Sequence, residues 1–509
     1  METVERIVKI DYIIPILVAV LLVGVTISST AQTRISGSLQ GVLAADSYIV
    51  EDNAFVDEGQ ILTIEAGATL LFEATTSLEV NGTLIAVGTE EEPIEFNLLH
   101  AGARWRGIDF TRYSSTESRL EYCIVEGSND WGIEINACNP QVRLCSISHN
   151  PGGGIYIDGS FSLVEDCLIE DNEASYGGGI FISYADPVIR NCIISNNTAN
   201  YGGGIAVIFE STPTIENVVI IDNQANSSGG GIYSGESNPT IQYGVFTGNV
   251  SGSGGAMYFG YSEPSIINCT VAYNSATDEF AGGGIFMRYT SAKIVDTIVY
   301  GSTNYGAYFD DSPYCSVEYS DFFNNLEGNF GGTTPEGVGV IQMGQYNLNG
   351  DPCDEFFNIL LDPVFVDPAR RDFRLNYGSP CVNAGNPDPW FGLDPDGTTR
   401  DIGAIYHDIR PVKKDWLSTE LPNSLEITAA YPNPFNTQVT LVFGLQSTAE
   451  VYGEVFDILG RSIARLSPGR LNPGFHRITW QPECSAGIYL IRLSTDDGQQ
   501  AVSRVTYLK

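Results

Sequence analysis

The sequence predicts an all-β protein in which a right-handed parallel β-helix is followed by a small C-terminal β-sandwich. Two observations predict the β-helix. The phrase CLIEDNEASYGGGI, which begins at Cys167, returns as CIISNNTANYGGGI from Cys192. Apolar residues within each coil alternate with a period of two, as in Ile155 and Ile157, which is a strand pattern. Five alternating segments after residue 424, separated by Gly, Pro and polar turns, predict the sandwich.

The repeat extends over nine coils. One glycine of each coil recurs at intervals of 22 to 29 residues, at Gly107, Gly132, Gly154, Gly179, Gly204, Gly231, Gly255, Gly284 and Gly306. Repeats of this length stack, because one repeat cannot bury its apolar face alone. Successive strands then pair in parallel about 4.8 Å apart, so nine coils make a rod of roughly 40 Å. We expect the glycine triplets to supply positive φ angles at the corners.

Two registers predict ladders inside the rod. The first contains cysteine in five coils, at Cys123, Cys145, Cys167, Cys192 and Cys269. The second contains asparagine in seven coils, at Asn150, Asn172, Asn197, Asn223, Asn249, Asn274 and Asn325. Neighbouring coils hold the thiols about 4.8 Å apart, whereas a disulfide needs Cβ atoms at roughly 3.8 Å, so buried free thiols are predicted. Each Asn amide is predicted to donate to the next carbonyl along the stack.

The coil motifs resemble those of the right-handed β-helix superfamily, which includes pectate lyases and many bacterial surface proteins. The segment FTGNVSGSGGA, from Phe246 to Ala256, also resembles repeats of chlamydial polymorphic outer-membrane proteins. The segments before Phe96, completed by WRGIDF, resemble the first coils of secreted β-helix proteins. The resemblance implies the fold more strongly than it implies any function.

Composition limits the partners of the chain. A net charge of −37 makes nucleic acid an unsuitable partner and polyanionic substrates unfavourable. The interval between Arg190 and Arg288 contains no Lys or Arg. Residues Ile13 to Ile27 form an apolar run too short to span a bilayer, so residues 1–31 are predicted to be a signal peptide cleaved between Ala31 and Gln32. An uncleaved anchor or a different start codon are the alternatives, and the mature protein is predicted to have no transmembrane span.

The outward positions of one sheet form an aromatic row. The residue after each inward isoleucine is predicted to face outward, which gives Tyr156, Phe181, Ala206, Tyr233, Met257, Phe286 and Tyr308. The five Tyr and Phe residues of this set are the candidate glycan-binding residues. The alternative is that loops or the C-terminal segment cover the row.

No catalytic constellation is evident in the sequence. The acidic pairs Glu165 with Asp166 and Asp310 with Asp311 are interpreted as solvated charges, because strand neighbours point to opposite faces. His149 is isolated from both pairs in the sequence. An inverting glycosidase remains an alternative, since two carboxylates from different coils can meet without a local motif.

Residues 331–405 are predicted to be a C-terminal cap, after the coils of residues 99–330 and the N-terminal cap and first coils of residues 32–98. Cys353 and Cys381 are the predicted disulfide. Three aspartates around Gly397 are candidate Ca²⁺ ligands, namely Asp394, Asp396 and Asp401. The alternative is an Asp/Pro/Gly turn that joins the cap to the last coil.

Residues 406–424 are a predicted linker, and residues 425–509 form the sandwich. Its motifs YPNPFN (431–436), DILGR (457–461), GIYLIRL (487–493) and a terminal Lys509 resemble the type A sorting domain of the type IX secretion system. The resemblance implies export from a Gram-negative cell to its surface or the medium through that machinery. The predicted function is a non-enzymatic adhesion or glycan-binding module. The alternative is a polysaccharide lyase or glycoside hydrolase with a groove along the β-helix.

Overall fold

The computed structural model describes residues 32–100, 102, 104–395, 397–407, 425–431, 438–457, 461–471, 474–482 and 484–507. The chain divides into two compact units, one of residues 1–359 with 401–405 and one of residues 360–400 with 406–509. The segment predicted as a single cap, residues 331–405, is therefore shared between the units. The signal-peptide prediction, residues 408–424 of the predicted linker and the cleavage residue Ala31 lie outside the described residues.

The first unit is a parallel solenoid with three long sheets, which confirms the predicted β-helix. Sheet 1 consists of Thr33–Ser38, Ser47–Val56, Thr69–Phe72, Ile94–Leu98, Cys123–Glu126, Ser146–Ser148, Leu168–Glu170, Ile193–Ser195, Val219–Ile221, Val245–Thr247, Thr270–Ala272, Ile298–Tyr300 and Asp321–Phe323. Sheet 2 shares the first two of these strands and continues with Leu78–Val80, Ile108–Phe110, Ile133–Asn136, Ile155–Asp158, Ile180–Ser183, Ile205–Ile208, Ile232–Gly235, Met257–Gly260, Gly282–Arg288, Tyr305–Asp310 and Gly328–Gly332.

Sheet 3 closes each coil. Its twelve strands are Gly41–Leu43, Ile61–Ile64, Thr83–Val87, Arg119–Glu121, Gln141–Arg143, Leu163–Glu165, Val188–Arg190, Thr214–Glu216, Thr240–Gln242, Ser265–Ile267, Lys293–Val295 and Ser316–Glu318. A short fourth sheet lies in the turn between sheets 1 and 2 and consists of Thr198–Tyr201, Gln224–Ser228, Val250–Ser251 and Ser275–Ala276. Pairing within all four sheets is parallel.

The corners of each coil are single residues in the left-handed region, and most are not glycine. In one coil these residues are Asp166, Asp171 and Tyr184, with φ angles of 56°, 54° and 47°. In the glycine triplet of the same coil, residues 177–179, only Gly177 has a positive φ angle, which is 56°. A Cβ on Gly179 would lie 2.7 Å from the Gly204 carbonyl oxygen, so that glycine is required by close backbone approach. The expectation that triplets form the corners is therefore only partly correct.

A ladder of asparagines crosses the turn from sheet 1 to sheet 2. Each Nδ2 donates to the Oδ1 of the next Asn at 2.9 to 3.0 Å, through Asn150, Asn172, Asn197, Asn223, Asn249 and Asn274. Ser302 interrupts the series, and its backbone N–H donates to Asn325 Oδ1 at 3.0 Å. All seven side chains are buried, so the ladder satisfies backbone groups that water cannot reach.

The cysteine register follows the corner between sheets 3 and 1. Cys123, Cys145, Cys167, Cys192 and Cys269 are all buried and free. Burial raises the pKa of the Cys145 and Cys192 thiols, and it raises that of Cys269 to about 12. The thiols of Cys145, Cys192 and Cys269 are therefore neutral, and they fill space as small apolar side chains.

The predicted disulfide is not formed. Both cysteines are buried and outside any disulfide, and Cys353 and Cys381 belong to different compact units. The backbone N–H of Cys353 donates to the Gln345 carbonyl oxygen, while that of Cys381 donates to Ser379 Oγ. Each cysteine is thus held within its own loop, a contact pattern that sequence spacing does not reveal.

The second unit contains a hairpin and a β-sandwich. The hairpin pairs Phe365–Asp367 with Asp372–Leu375 around the 3₁₀ turn Pro368–Arg370. One sandwich sheet contains Glu426–Tyr431, Val439–Leu445 and Gly474–Trp480, and the other contains Ser462–Leu471, Ala449–Asp457, Gly487–Thr495 and Gln500–Tyr507. Both sheets are antiparallel, and Val455, Ile491 and Trp480 lie in the core between them.

Candidate functional site

The outer face of sheet 2 carries one continuous row of side chains that lie in register from coil to coil. The row consists of Glu79, Asp109, Glu134, Tyr156, Phe181, Ala206, Tyr233, Tyr258, Phe286 and Tyr308. We call its first three residues the carboxylate row and the remainder the aromatic row. Neighbouring positions are about 4.8 Å apart, as in any parallel ladder.

The aromatic row is a series of stacked rings. The centroids of Tyr156 and Phe181 are 5.1 Å apart with an angle of 23° between the ring planes. Farther along the rod, Tyr258 stacks on Tyr233 at 5.4 Å and on Phe286 at 5.2 Å. Phe286 and Tyr308 follow at 5.5 Å with an angle of 3°. The ring faces are therefore turned mainly toward one another, and ring edges face outward.

Ala206 leaves a gap in the row that two tyrosines of the neighbouring turn fill. Tyr176 stacks on Phe181 at 5.7 Å and on Tyr201 at 5.0 Å. Tyr201 then contacts Tyr233 at 5.2 Å with a tilt of 56°. The aromatic surface is thus unbroken, although the sequence register alone predicts an interruption at Ala206.

One assignment in the predicted row is wrong by one residue. Met257 was expected to face outward, but its side chain is fully buried, and it pairs with Ile232 and Ile285. Tyr258 takes the outward position. The error arises because Ala256 occupies the place that the last glycine of the triplet has in other coils, which shifts the apparent phase by one.

Loops cover part of the row, as the alternative interpretation predicts. Phe286 is only 7% exposed because it packs against Ala276 and Ala281, and it is unavailable to a ligand. Tyr156, Phe181, Tyr233 and Tyr308 remain half-buried. These four, together with the newly identified Tyr258, are the members of the row that a ligand can touch.

The tyrosines of the row extend over small residues. A Cβ added at Gly235 would lie 3.0 Å from the Tyr233 hydroxyl oxygen, and one at Gly260 would lie 3.2 Å from Tyr258 Cε1. Burial raises the pKa of Tyr233 to about 12, so its hydroxyl is neutral at pH 7. The row therefore presents ring edges and neutral hydroxyls that can both donate and accept hydrogen bonds.

The carboxylate row is a site that the sequence did not reveal. Burial, followed by the negative charge of Glu134, raises the pKa of Asp109 to about 6. Asn136 Nδ2 donates to Asp109 Oδ1 and Glu134 Oε1, both at 3.1 Å, and Asn81 Nδ2 donates to Glu79 Oε1 at 2.6 Å. These acids are single residues 25 to 30 positions apart, and only the pairing register brings them together.

Two of the acidic residues selected from the sequence, Glu165 and Asp310, lie outside the carboxylate row and are paired with arginines. Glu165 is buried between Arg143 and Arg190, and its Oε2 is 2.8 Å from Arg143 Nε. The interpretation of Glu165 as a solvated charge is therefore wrong, because two arginines of adjacent coils compensate its burial. Asp310 Oδ2 is 3.3 Å from Arg288 Nε.

His149 is brought close to carboxylates that the sequence did not associate with it. Its Nδ1 lies 3.8 Å from Glu126 Oε1, and its Nε2 lies 3.8 Å from Asp171 Oδ2. The side chain is largely exposed. These contacts lie at the end of sheet 1 rather than in the carboxylate row.

The three candidate Ca²⁺ ligands are not assembled into one described site. Asp401 is buried, and its carbonyl oxygen accepts from Asn268 Nδ2 at 2.8 Å. Asp394 belongs to the other compact unit, where its carbonyl oxygen accepts from Gly397 N–H in a tight turn. Asp396 lies outside the described residues. Within the described residues no three His, Cys, Asp or Glu side chains form a metal-binding group, and Ca²⁺ binding stays a prediction.

Comparison with known families identifies both parts of the chain. Residues 103–242 match the family described as a right handed beta helix region. Residues 429–506 match the secretion system C-terminal sorting domain. A domain of the second kind directs proteins across the outer membrane to the cell surface or the extracellular space, so the predicted localisation is confirmed. Residues 432–436 and 458–460 of its motifs and the terminal Lys509 lie outside the described residues.

Comparison with solved structures gives matches of low identity and low TM-score. The pectate lyase Pel9A is 12% identical, with a TM-score of 0.35 over 69% of this chain and 89% of that one. The enzymatically active domain of tailspike protein 2 of bacteriophage CBA120 is 10% identical, with a TM-score of 0.31 over 92% of this chain and 71% of that one. No curated protein matches the chain significantly. No helix in the described part of the chain is long and apolar enough to cross a bilayer.

Proposed function

We propose that this chain, a right-handed β-helix joined to a type IX secretion sorting domain, is an extracellular module that binds an elongated polysaccharide along sheet 2. The observation that carries the proposal is the aromatic row, in which five half-buried rings remain within reach of a ligand, namely Tyr156, Phe181, Tyr233, Tyr258 and Tyr308. From Tyr156 to Tyr308 the row extends about 29 Å at the spacing of parallel strands. A surface of that length suits a polymer better than a single sugar.

Charge narrows the class of polymer. The chain has a net charge of −37, and the carboxylate row adjoins the aromatic row directly at Glu134 and Tyr156. A polyanion would be repelled along the whole rod. Neutral hydroxyls such as those of Tyr233 and Tyr258 hydrogen-bond to sugar hydroxyls without requiring a charge. The proposed ligand is therefore a neutral polysaccharide.

A second candidate function is hydrolysis of the same polymer at the carboxylate row. The observation that favours it is the raised pKa of Asp109, about 6, beside a second carboxylate on Glu134. An acid whose pKa is raised toward neutrality, beside a second carboxylate, is the arrangement of a general acid and a nucleophile. Adjacent coils are about 4.8 Å apart, close to the 5 to 5.5 Å that separates the carboxyls of retaining glycosidases.

A panel of neutral and charged polysaccharides distinguishes these functions. The exported chain is tested with and without Ca²⁺, and both retention and release of reducing ends are measured. We expect retention of neutral polymers, weakened about tenfold by Tyr233→Ala and by Tyr258→Ala, since each removes an edge and a hydroxyl. Retention of no polymer, or unchanged retention by both variants, would contradict the binding proposal.

Asp109→Asn and Glu134→Gln test the second candidate. Release of reducing ends that falls at least a hundredfold in both variants would support hydrolysis, because general acid and nucleophile are both needed. Retention without any release would restrict the protein to binding. The matched control for the binding test is Phe286→Leu. Ala276 and Ala281 cover the Phe286 ring, so this variant should leave polymer retention unchanged.

A further inference from the structure

A second row of aromatic residues lies at the corner between sheets 2 and 3. It is formed by the left-handed residues that end successive strands of sheet 2, and it consists of Tyr184, Phe209, Glu236, Tyr261 and Tyr289. We call this the corner row. It is separate from the aromatic row, because two residues of each strand lie between them.

The corner row contains two stacked pairs of rings. Tyr184 and Phe209 stack with centroids 5.0 Å apart and planes within 16°, and Tyr261 and Tyr289 stack at 5.1 Å and 26°. All four rings are exposed, from 43% for Phe209 to 64% for Tyr261. Because the rings stack along the rod, one face of Phe209 and one face of Tyr261 are turned toward the coil that separates the pairs.

That intermediate coil contributes Glu236 instead of a ring. Phe209 and Tyr261 are two coils apart, which places their planes about 9.6 Å from each other. A group midway between them is about 4.8 Å from each ring, within the roughly 6 Å over which a cation is attracted to a ring face. Glu236 belongs to the coil between the two rings and is exposed, and among the described residues no hydrogen bond or ion pair reaches its carboxylate.

The coils of Tyr289 and Asp310 combine a ring and a carboxylate with a cation from the chain itself. The Arg288 guanidinium lies over the Tyr289 ring, with Cζ 5.6 Å from the ring centroid, and its Nε is 3.3 Å from Asp310 Oδ2. Ring, cation and carboxylate are thus combined at this end of the corner row. At Phe209, Glu236 and Tyr261 the ring and the carboxylate recur, but the interval from Arg190 to Arg288 contains no Lys or Arg to supply the cation.

The geometry points to a binding site for a methylated ammonium group between Phe209 and Tyr261, with Glu236 as its counter-ion. A flat guanidinium would stack closely on one ring and would not contact the other. A bulky methylated ammonium group would contact both rings at about 4.8 Å. The acidic charge of the rod adds long-range attraction for a cation. The site goes beyond the proposed polysaccharide surface and does not depend on it.

Choline and its neutral carbon analogue 3,3-dimethyl-1-butanol test the site on the full exported chain. Binding is measured by calorimetry and by saturation-transfer NMR of the methyl protons at low ionic strength. We expect choline to bind at least fivefold more tightly than the alcohol, because the two differ mainly in charge. Binding to phosphatidylcholine vesicles is measured in parallel, which distinguishes a lipid headgroup from a free ligand.

Three variants and one control make the test specific. Glu236→Gln, Phe209→Leu and Tyr261→Leu should each weaken choline binding about fivefold, while Tyr184→Leu should not, because that ring stacks behind Phe209. Far-UV circular dichroism checks that each exposed substitution leaves the fold intact. Equal binding of the neutral analogue, no saturable choline binding up to tens of millimolar, or full affinity in Glu236→Gln would each overturn the proposal.

Discussion

The solenoid and the C-terminal sandwich are both β structures, but they differ in charge. Residues 425–509 contain seven Lys or Arg and seven Asp or Glu, so the sandwich is neutral. The remaining 424 residues contain 18 Lys or Arg and 55 Asp or Glu, and they carry the whole net charge of −37. A solenoid tolerates this charge because its outer faces are solvated, whereas the charges of the sandwich compensate one another, as Glu454 does with Arg492 at 2.9 Å.

The two regions also differ in how their interiors are specified. Each coil of the solenoid repeats the polar residue of its neighbour, so that Asn223 receives from Asn197 and donates to Asn249. The sandwich has no such repetition, and its interior is two apolar clusters formed by different residues of facing sheets. The solenoid is therefore most sensitive to the loss of a polar group, and the sandwich to the loss of apolar volume. Three substitutions test this contrast.

Asn223→Ala is expected to have the largest effect. The change removes the Nδ2 donor to Ile194 O at 2.8 Å and to Asn249 Oδ1 at 3.0 Å, and it leaves two buried donors of Asn197 without their acceptor. Orphaned buried groups cost about 1 to 3 kcal/mol each, so we expect a loss of about 4 kcal/mol in the free energy of unfolding of the solenoid, measured in urea. The exposed Asn226 donates to Asn200 and is the matched control, for which Asn226→Ala should cost less than about 0.5 kcal/mol.

Ile491→Ala is expected to have the largest effect in the sandwich. Ile491 is fully buried in the core, so truncation should cost about 3 kcal/mol through lost burial and a cavity. Because the units are compact and separate, only the sandwich transition should move in denaturant unfolding. Ile488 lies on the same strand and is 44% exposed, so Ile488→Ala should leave both transitions within about 0.5 kcal/mol. A shift of both transitions by Ile491→Ala would show that the units unfold together.

Asp109→Asn is expected to have the smallest effect, and it should stabilise. The pKa of Asp109 is raised to about 6, so the folded chain holds this proton more tightly than the unfolded chain, in which an Asp has a pKa of about 3.9. The stability that this group contributes is present below about pH 4 and is lost as the pH rises to about 6. Asn cannot ionise, so the variant should be about 1 kcal/mol more stable than the wild type at pH 7 after discounting for partial exposure.

Unfolding in urea at pH 4 and at pH 7 checks the sign. The difference in the free energy of unfolding between wild type and Asp109→Asn should be large at pH 7 and close to zero at pH 4. Asp52 is an exposed aspartate of the first coils, and Asp52→Asn is the matched control for replacing a carboxylate by an amide. A gap for Asp109→Asn that widens toward pH 4 would contradict the raised pKa.

The sequence predicts the solenoid well because its evidence is repeated. The Asn and Cys registers recur at the coil period, and the parallel pairing that they imply is the pairing observed, as in Ile180 with Ile205. Tyr258 was missed because the phase was taken from Gly255, whereas Ala256 occupies the aligned position. A substitution in one repeat is therefore enough to shift an assignment by one residue and to reverse its face.

The candidate site was less predictable. Tyr176 and Tyr201 join the aromatic row from a neighbouring turn, and the loop residues Ala276 and Ala281 cover Phe286. Such contacts depend on the way in which a long turn folds back over a sheet. The lengths of these turns vary from coil to coil. Glu165 was likewise interpreted as a solvated charge from the sequence, whereas the strand register places it between Arg143 and Arg190.

The sequence by itself determined the coil period, the ladders of Asn and Cys, the presence of the sorting domain and the export route, because these depend on local patterns and on motifs. Only the tertiary structure decided which residues of different coils meet: Asp109 with Glu134, and the Glu236 position between Phe209 and Tyr261. The physical reason is that strand pairing places residues 22 to 30 positions apart within about 4.8 Å of one another.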